Sequence, residues 1–182
     1  HGTRRYEFMM MPGETAEELL EESRVRGLMA RHSAEDGGLE IVRKVVYQFH
    51  ARIAERWRSG NVFLSGDAAH LTPPFAGQGM NSGVRDAQNL AWKLALTLRG
   101  ELGEGVLDTY ESERRSHAWA LIQMAVTMGH VMMPTSRWNA FVTQWGMRLL
   151  SLYPPARDYV MQMKYKPKPR FEQGLVVHGV GA

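Results

Sequence analysis

The sequence predicts a mixed α/β fold, and three observations predict it. A period-two aromatic stretch lies near the amino end, a short apolar run sits mid-chain, and two long stretches of helical periodicity follow. With 182 residues, 44% of them hydrophobic and 23% charged, the chain suits one moderate domain or pieces of two.

Taken in order, His1-Gly2-Thr3 leads into a segment where Arg5, Glu7 and Met9 alternate with Tyr6, Phe8 and Met10, the pattern of a strand. Pro12-Gly13 is a turn signal, and Thr15 with Glu18 three residues on reads as a capping box. The helix it opens is expected over residues 16–29, with Leu19, Leu20 and Val25 among its apolar positions. Asp36-Gly37-Gly38 marks another turn. Residues 39–57 alternate and are rich in β-branched and aromatic side chains, which predicts a long strand. Ser59-Gly60 turns the chain into residues 61–64, an apolar run of the kind buried in parallel sheets. Helical periodicity then predicts helices over 84–98, on Val84, Ala87, Leu90, Ala91, Leu94, Ala95 and Leu98, and over 106–128. Gly100 ends the first of these. A shorter amphipathic segment covers 138–152, Pro154-Pro155 interrupts it, and the lysine–proline alternation after residue 164 predicts an extended linker.

Several function classes are excluded early. The absence of cysteine removes disulfide scaffolds, cysteine nucleophiles and thiolate zinc sites. The seven histidines show no metal-ligand spacing, so no metal is assigned. A net charge of +3 is too small an excess to imply nucleic acid. No run approaches the roughly 18–20 apolar residues of a membrane span, so neither nucleic acid nor membrane is expected as a partner. A soluble, cytoplasmic protein is the expectation.

Chemistry concentrates in GDAAHLTPPFAGQGMNSG, residues 66–83. Gly66-Asp67 follows the apolar run, and an acid at the carboxyl end of a strand sits where open α/β sheets bind ligands. Its carboxylate can accept hydrogen bonds from sugar or polyol hydroxyls. Pro73 and Pro74 stiffen the loop, while Gly77 and Gly79 let backbone approach a flat or charged ligand. The loop then delivers free N–H groups at a helix N-terminus, suited to partial negative charge. Such loops also join strands to helices in α/β proteins that bind nothing. The G-x-G-x-x-x-G spacing of Gly77, Gly79 and Gly83 follows two prolines rather than a strand, and is rejected as a dinucleotide fingerprint.

The stretch GDAAHLTPPFAGQGMNSGVRDAQNLAWKL resembles the second flavin-binding motif of the class A FAD-dependent aromatic hydroxylases, the p-hydroxybenzoate hydroxylase-like family. RRYEFMMMPGE, VVYQFHARIAERWRSGNVFLSGD and LDTYESERRSH are similar to its 3-(3-hydroxyphenyl)propionate hydroxylase branch. The resemblance covers most of the chain up to about His117. It implies a partial flavoprotein monooxygenase fold: part of the substrate-domain sheet, the last strand and helix of the flavin domain, then further helices. The implied divisions are 1–58 for the substrate-binding sheet, 59–100 for the flavin domain, 101–163 for a helical region and 164–182 for a linker.

The resemblance also implies roles. Asp67, with Gly66, would bind the flavin ribitol, and the amides of Met80 and Asn81 would face the pyrimidine edge of the isoalloxazine. Pro74 would lie beside the ring where the substrate is attacked, and Gln78 and Gly79 would complete the loop. The implied activity is ortho-hydroxylation of a phenolic acid through a flavin hydroperoxide, with FAD bound and NAD(P)H as reductant. Related hydroxylases act on polyketide, antibiotic or other phenols. The family's N-terminal glycine loop and intermediate Asp-Gly motif are absent, which implies a segment of a longer enzyme. As a segment, it would leave sheet edges and the apolar face of 84–98 uncovered and self-associate, or associate with the rest of the enzyme. A non-catalytic module that holds FAD only weakly is the other class of reading.

Other residues read as structural. His50 lies where the resemblance would allow contact with the nicotinamide cofactor but reads first as a surface or structural histidine, and His70 reads as a loop-fixing hydrogen-bond partner rather than an acid or base. Arg4 and Arg5 are solvated, and Trp57, Trp92 and the methionines pack cores and interfaces.

Overall fold

Thr15 opens the first helix as its capping box requires in the computed structural model, which describes residues 3–134, 136–171 and 173–176. The Thr15 hydroxyl accepts from the Glu18 amide, and the Glu18 carboxylate accepts from the Thr15 amide at 3.0 Å. The predicted single helix over 16–29 is two, α1 (Ala16–Leu20) and α2 (Glu22–His32), because Glu21 between them is extended. Lys44 Nζ takes up the Leu20 carbonyl at the break. These helices lie in the first of two compact units, His1–Gln48; the second is Phe49–Ala182.

The α/β class holds, but with little sheet. Among the described residues, four two-residue strands form two antiparallel pairs: β1 (Arg52–Ile53) with β4 (His70–Leu71), and β2 (Arg58–Ser59) with β3 (Val62–Phe63). The strand expected over residues 5–10 is not formed. Alternation specifies two faces, but a strand also needs a neighbour's N–H and C=O groups, and no described segment supplies them. Instead Arg4 and Tyr6 both donate to the Asp36 carboxylate, with the Arg4 side chain still exposed to solvent as expected. Arg5 pairs with Glu7 on the surface. His1 and Gly2 lie outside the described residues.

The long strand expected over 39–57 fails for the same reason. Only Arg52–Ile53 finds a partner, and Val42 and Phe49 are exposed. Residues 61–64 are not a buried parallel strand either. Gly60, at φ +57°, and Asn61 make a two-residue turn, and so short a connection forces antiparallel pairing of Ser59 with Val62. Val62 points to solvent, and the Arg58 guanidinium covers the Phe63 ring at 5.3 Å.

Four helices follow: α3 (Gly79–Leu98), α4 (Gly105–Met132), α5 (Arg137–Ser151) and α6 (Pro154–Met161). Gly100, at φ +74°, stops α3 in the left-handed conformation, and Pro154 stands in the first turn of α6, where its missing N–H costs nothing. The core of this unit is Trp57, Ala69, Leu90, Tyr110 and Ala118, with Ile53, Phe63, Leu64 and Leu94 around them. Trp57 packs against both His70 and Tyr110 in tilted contacts, ring centroids 5.4 and 5.6 Å away.

Helix α3 buries only part of the face its apolar spacing predicts: Leu90 is in the core and Leu94 packs against it. Val84 and Leu98 are 60% and 85% exposed, while Ser82, Asp86, Asn89 and Lys93 are buried with Leu90. The reason is polar pairing with α4, described below, which outweighs the apolar stripe. Trp92 is likewise exposed, and of the methionines only Met29 and Met124 join the buried set. Toward the carboxyl end, the Leu175 amide donates to Glu113, so residues 173–176 rest against α4. The part of the expected linker at 177–182 lies outside the described residues.

Candidate functional site

Residues 66–83 fold as a sequence of tight turns, each dictated by its own glycine or proline. Gly66, at φ +59°, opens a single 3₁₀ turn, Gly66–Ala68, closed by the Ala69 amide on the Gly66 carbonyl at 2.9 Å. Asp67 lies in that turn with its side chain exposed and no protein hydrogen bond among the described residues. β4 follows, then a second 3₁₀ turn over Pro74–Ala76 that ends at Gly77, again left-handed at φ +59°. Pro73 is buried and Pro74 is exposed. Phe75 rests on α4 at Gly129, where a Cβ would come within 2.6 Å of the ring.

Helix α3 begins at Gly79, earlier than the apolar spacing suggests, so Met80 and Asn81 occupy its first turn. Gln78 caps it without a side-chain hydrogen bond, and the first amide held from within is that of Ser82, on the Gln78 carbonyl at 2.9 Å. The amides of Gly79, Met80 and Asn81 therefore have no protein acceptor among the described residues. Met80 is 80% exposed, and a Cβ on Gly77 or Gly79 would meet nothing within 4 Å. Gln78 donates to the Ala76 carbonyl at 2.8 Å, and its own Oε1 is buried with no donor facing it among the described residues.

Beneath this surface lies a buried ionic layer that joins α3 to α4. Asp86 Oδ1 accepts from Arg114 Nε at 2.9 Å, and its Oδ2 accepts from His70 Nε2 at 2.6 Å and from the Gly66 amide at 3.2 Å. One helical turn further on, Glu113 accepts from Asn89 at 2.6 Å, Lys93 at 2.7 Å and the Leu175 amide at 2.9 Å. Burial pushes the Glu113 carboxyl up, but those donors, Asn89 foremost, prevail and hold it below the ordinary carboxylate range. Tyr110 donates to the Leu64 carbonyl; burial first, and then the Asp86 charge, push its phenol up to about 12. Burial and the neighbouring Arg114 lower His117.

The structure thus gathers all the sequence-predicted residues, Gly66, Asp67, Pro74, Gln78, Gly79, Met80 and Asn81, along one continuous loop and helix start. His70 fixes the loop, as expected of it. His50 lies outside the site, in an irregular segment. Sequence reasoning missed Asp86, Asn89, Lys93, Glu113 and Arg114. A signal was present: polar residues at steps of three and four within α3, followed by an adjacent Glu-Arg pair in α4.

An FAD-type ligand can be tested against these residues. A ribityl chain needs an accessible carboxylate, which Asp67 offers. An electron-rich carbonyl edge needs free amides, which the start of α3 offers together with the positive end of its dipole. Gln78 Oε1 adds a buried acceptor with no donor of its own. The residues fit.

The class is shown by family comparison: residues 2–125 match the FAD binding domain family, and the chain belongs to it. Over all 182 residues it is 47% identical to the 3-(3-hydroxy-phenyl)propionate/3-hydroxycinnamic acid hydroxylase of Klebsiella pneumoniae subsp. pneumoniae, covering 33% of that protein. It is 45% identical over 177 residues to the protein of the same name from Escherichia coli (strain SMS-3-5 / SECEC), covering 97% of this chain and 32% of that one. The chain spans about a third of the length of these relatives. Among solved structures it resembles OxyS anhydrotetracycline hydroxylase from Streptomyces rimosus, with TM-score 0.64 and 30% identity over 88% of this chain and 32% of that one. It also resembles aklavinone-11 hydroxylase, solved with FAD and aklavinone, with TM-score 0.58 and 40% identity over 65% of this chain and 22% of that one.

Proposed function

We propose that this chain is the ribitol- and isoalloxazine-facing segment of an FAD-dependent aromatic hydroxylase that acts on a phenolic acid such as 3-(3-hydroxyphenyl)propionate. The observation that carries the reading is the pairing of an exposed Asp67 with three amides at the start of α3, all without a partner among the described residues, on one buried ionic base. Asp67, supported by Gly66, accepts hydrogen bonds from the ribityl hydroxyls. The amides of Met80 and Asn81 face the pyrimidine edge, where the helix dipole favours negative charge. Pro74 presents a rigid, apolar ring edge to the reacting aromatic, and Gln78 and Gly79 shape the turn between the two. Bound FAD would supply the redox chemistry: the phenol, NAD(P)H, a proton and O₂ would give the ortho-hydroxylated phenol, NAD(P)⁺ and water.

Identity of 47% along the whole chain favours a phenolic acid. The likeness to anhydrotetracycline and aklavinone hydroxylases favours a larger polycyclic phenol. NAD(P)H consumption and product formation by the intact protein, compared on phenolic acids and polycyclic phenols, separates the two. The exposed apolar faces of α3 and α5, including Val84, Leu98, Trp138, Phe141 and Leu149, support association with a further polypeptide segment or a second copy. A cytoplasmic location belongs to the same reading.

Asp67→Ala tests the core of it. Each charge-assisted hydrogen bond to a ligand contributes about 1.5–3 kcal/mol, so FAD affinity in the intact protein should fall roughly 10- to 100-fold with the fold retained. Unchanged affinity on titration would remove Asp67 from the site.

A further inference from the structure

We infer that Asp86 is the positioning residue of the flavin loop: its one buried carboxylate holds both ends of the segment that presents Asp67. The inference rests on the FAD reading above and extends it to a residue that touches no ligand.

The two oxygens of Asp86 have divided tasks. Oδ1 meets Arg114 Nε at 2.9 Å, and this alone would pair α3 with α4. Oδ2 turns the other way, toward the loop, where it meets the Gly66 amide at 3.2 Å and His70 Nε2 at 2.6 Å. Gly66 immediately precedes Asp67, and His70 follows it by three residues. A single fully buried carboxylate therefore fixes the segment on either side of the ribitol acid. The Asp86 carboxylate can only accept, so Nε2 is the His70 nitrogen that carries the proton; Nδ1 is buried with no partner among the described residues. Ser82 Oγ, at 3.4 Å from the same nitrogen, completes the seat.

Backbone packing adds a second constraint. A Cβ built on Gly83 would lie 3.3 Å from the Gly66 Cα, so α3 touches the loop where the chain takes its left-handed turn. Charge and close packing act on the same residue, Gly66, from the same helix. The Asp67 side chain itself is held by nothing else in the described structure. Its orientation is inherited from Gly66 and His70, and through them from Asp86. Preorganisation of this kind is what a ligand-facing carboxylate needs to bind without ordering cost.

The test is a double-mutant cycle on FAD affinity in the intact protein, stripped of flavin and titrated. Asp86→Asn keeps the shape but removes the charge that holds both donors. Acting through Asp67, it should weaken FAD about tenfold in the Asp67 background and less than about twofold in the Asp67→Ala background. Equal losses in both backgrounds would mean a general structural defect and overturn the inference, as would no loss in either. If Asp67→Ala alone leaves FAD affinity intact, the FAD reading itself fails, and this result is read from a different variant. Gly83→Ala, which leaves every charge in place and crowds Gly66 by a few tenths of an ångström, repeats the cycle should Asp86→Asn not fold. It should show the same dependence on Asp67, with a smaller loss, and additive losses would again overturn the inference.

Discussion

Removing the ammonium from the second buried pair, by Lys93→Met, isolates what the ionic layer contributes to stability. Lys93 and Glu113 are 0% and 2% exposed, and Lys93 Nζ also donates to Thr109 at 2.6 Å. Methionine fills a similar volume, so the perturbation is chiefly electrostatic. Breaking a buried pair by deleting one partner costs roughly 3–5 kcal/mol, because a charge remains without its counter-charge. Here Asn89 and the Leu175 amide still donate to Glu113, which places the cost near the lower figure. For a chain of this size, about 3 kcal/mol corresponds to a fall in Tm of roughly 6–12 °C. In the parent, the Glu113 carboxyl is held low, so its contribution is present above the unfolded pKa and is lost only as pH falls through the folded one. In the variant the lysine no longer lowers the Glu113 carboxyl, so its folded pKa rises relative to the parent's, and the stability deficit should narrow on acidification from pH 7 to pH 5. His117, held low by burial and Arg114, makes both proteins lose stability alike over that interval, so the quantity compared is the difference between them. Adding Glu113→Gln should restore more than half of the loss. The assay is thermal unfolding followed by circular dichroism. A variant that melts within a degree of the parent at pH 7, or shows the same deficit at both pH values, would refute this account of the pair.

Two further outcomes are expected. Gly129→Ala drives a Cβ to within 2.6 Å of Phe75, so it should cost about 1–3 kcal/mol by overpacking and displace the Pro74 turn; Tm and FAD titration read both effects. Tyr110, pushed up to about 12, should give no phenolate absorbance below pH 11 in the folded protein, and spectrophotometric titration of a Tyr110→Phe control identifies its signal.

The sequence by itself determined the local features. The Thr15–Glu18 capping box, the left-handed stop at Gly100, the break before Pro154 and the left-handed turns at Gly66 and Gly77 all depend on residues within a few positions of one another. Backbone geometry and capping chemistry settle such features wherever the segment is placed. The position of Asp67 between an extended run and a helix was legible for the same reason.

Only the tertiary structure decided what depends on a distant partner. Alternation at residues 5–10 and 39–57 gave no strand, since pairing requires a neighbour that periodicity does not name. The spacing of α3 marked Val84, Ala87, Leu90, Ala91, Leu94, Ala95 and Leu98 as its inner face; Leu90 and Leu94 do meet the core, yet Val84 and Leu98 are exposed while Asp86, Asn89 and Lys93 are inside. A hydrophobic stripe outweighs polar residues only when those residues lack partners, and here Arg114 and Glu113 lie 28 and 20 positions away. Once both charges of a pair are present and hydrogen-bonded, a polar face can be buried. Packing of α3 against α4 brings them together, and with them the support beneath Asp67.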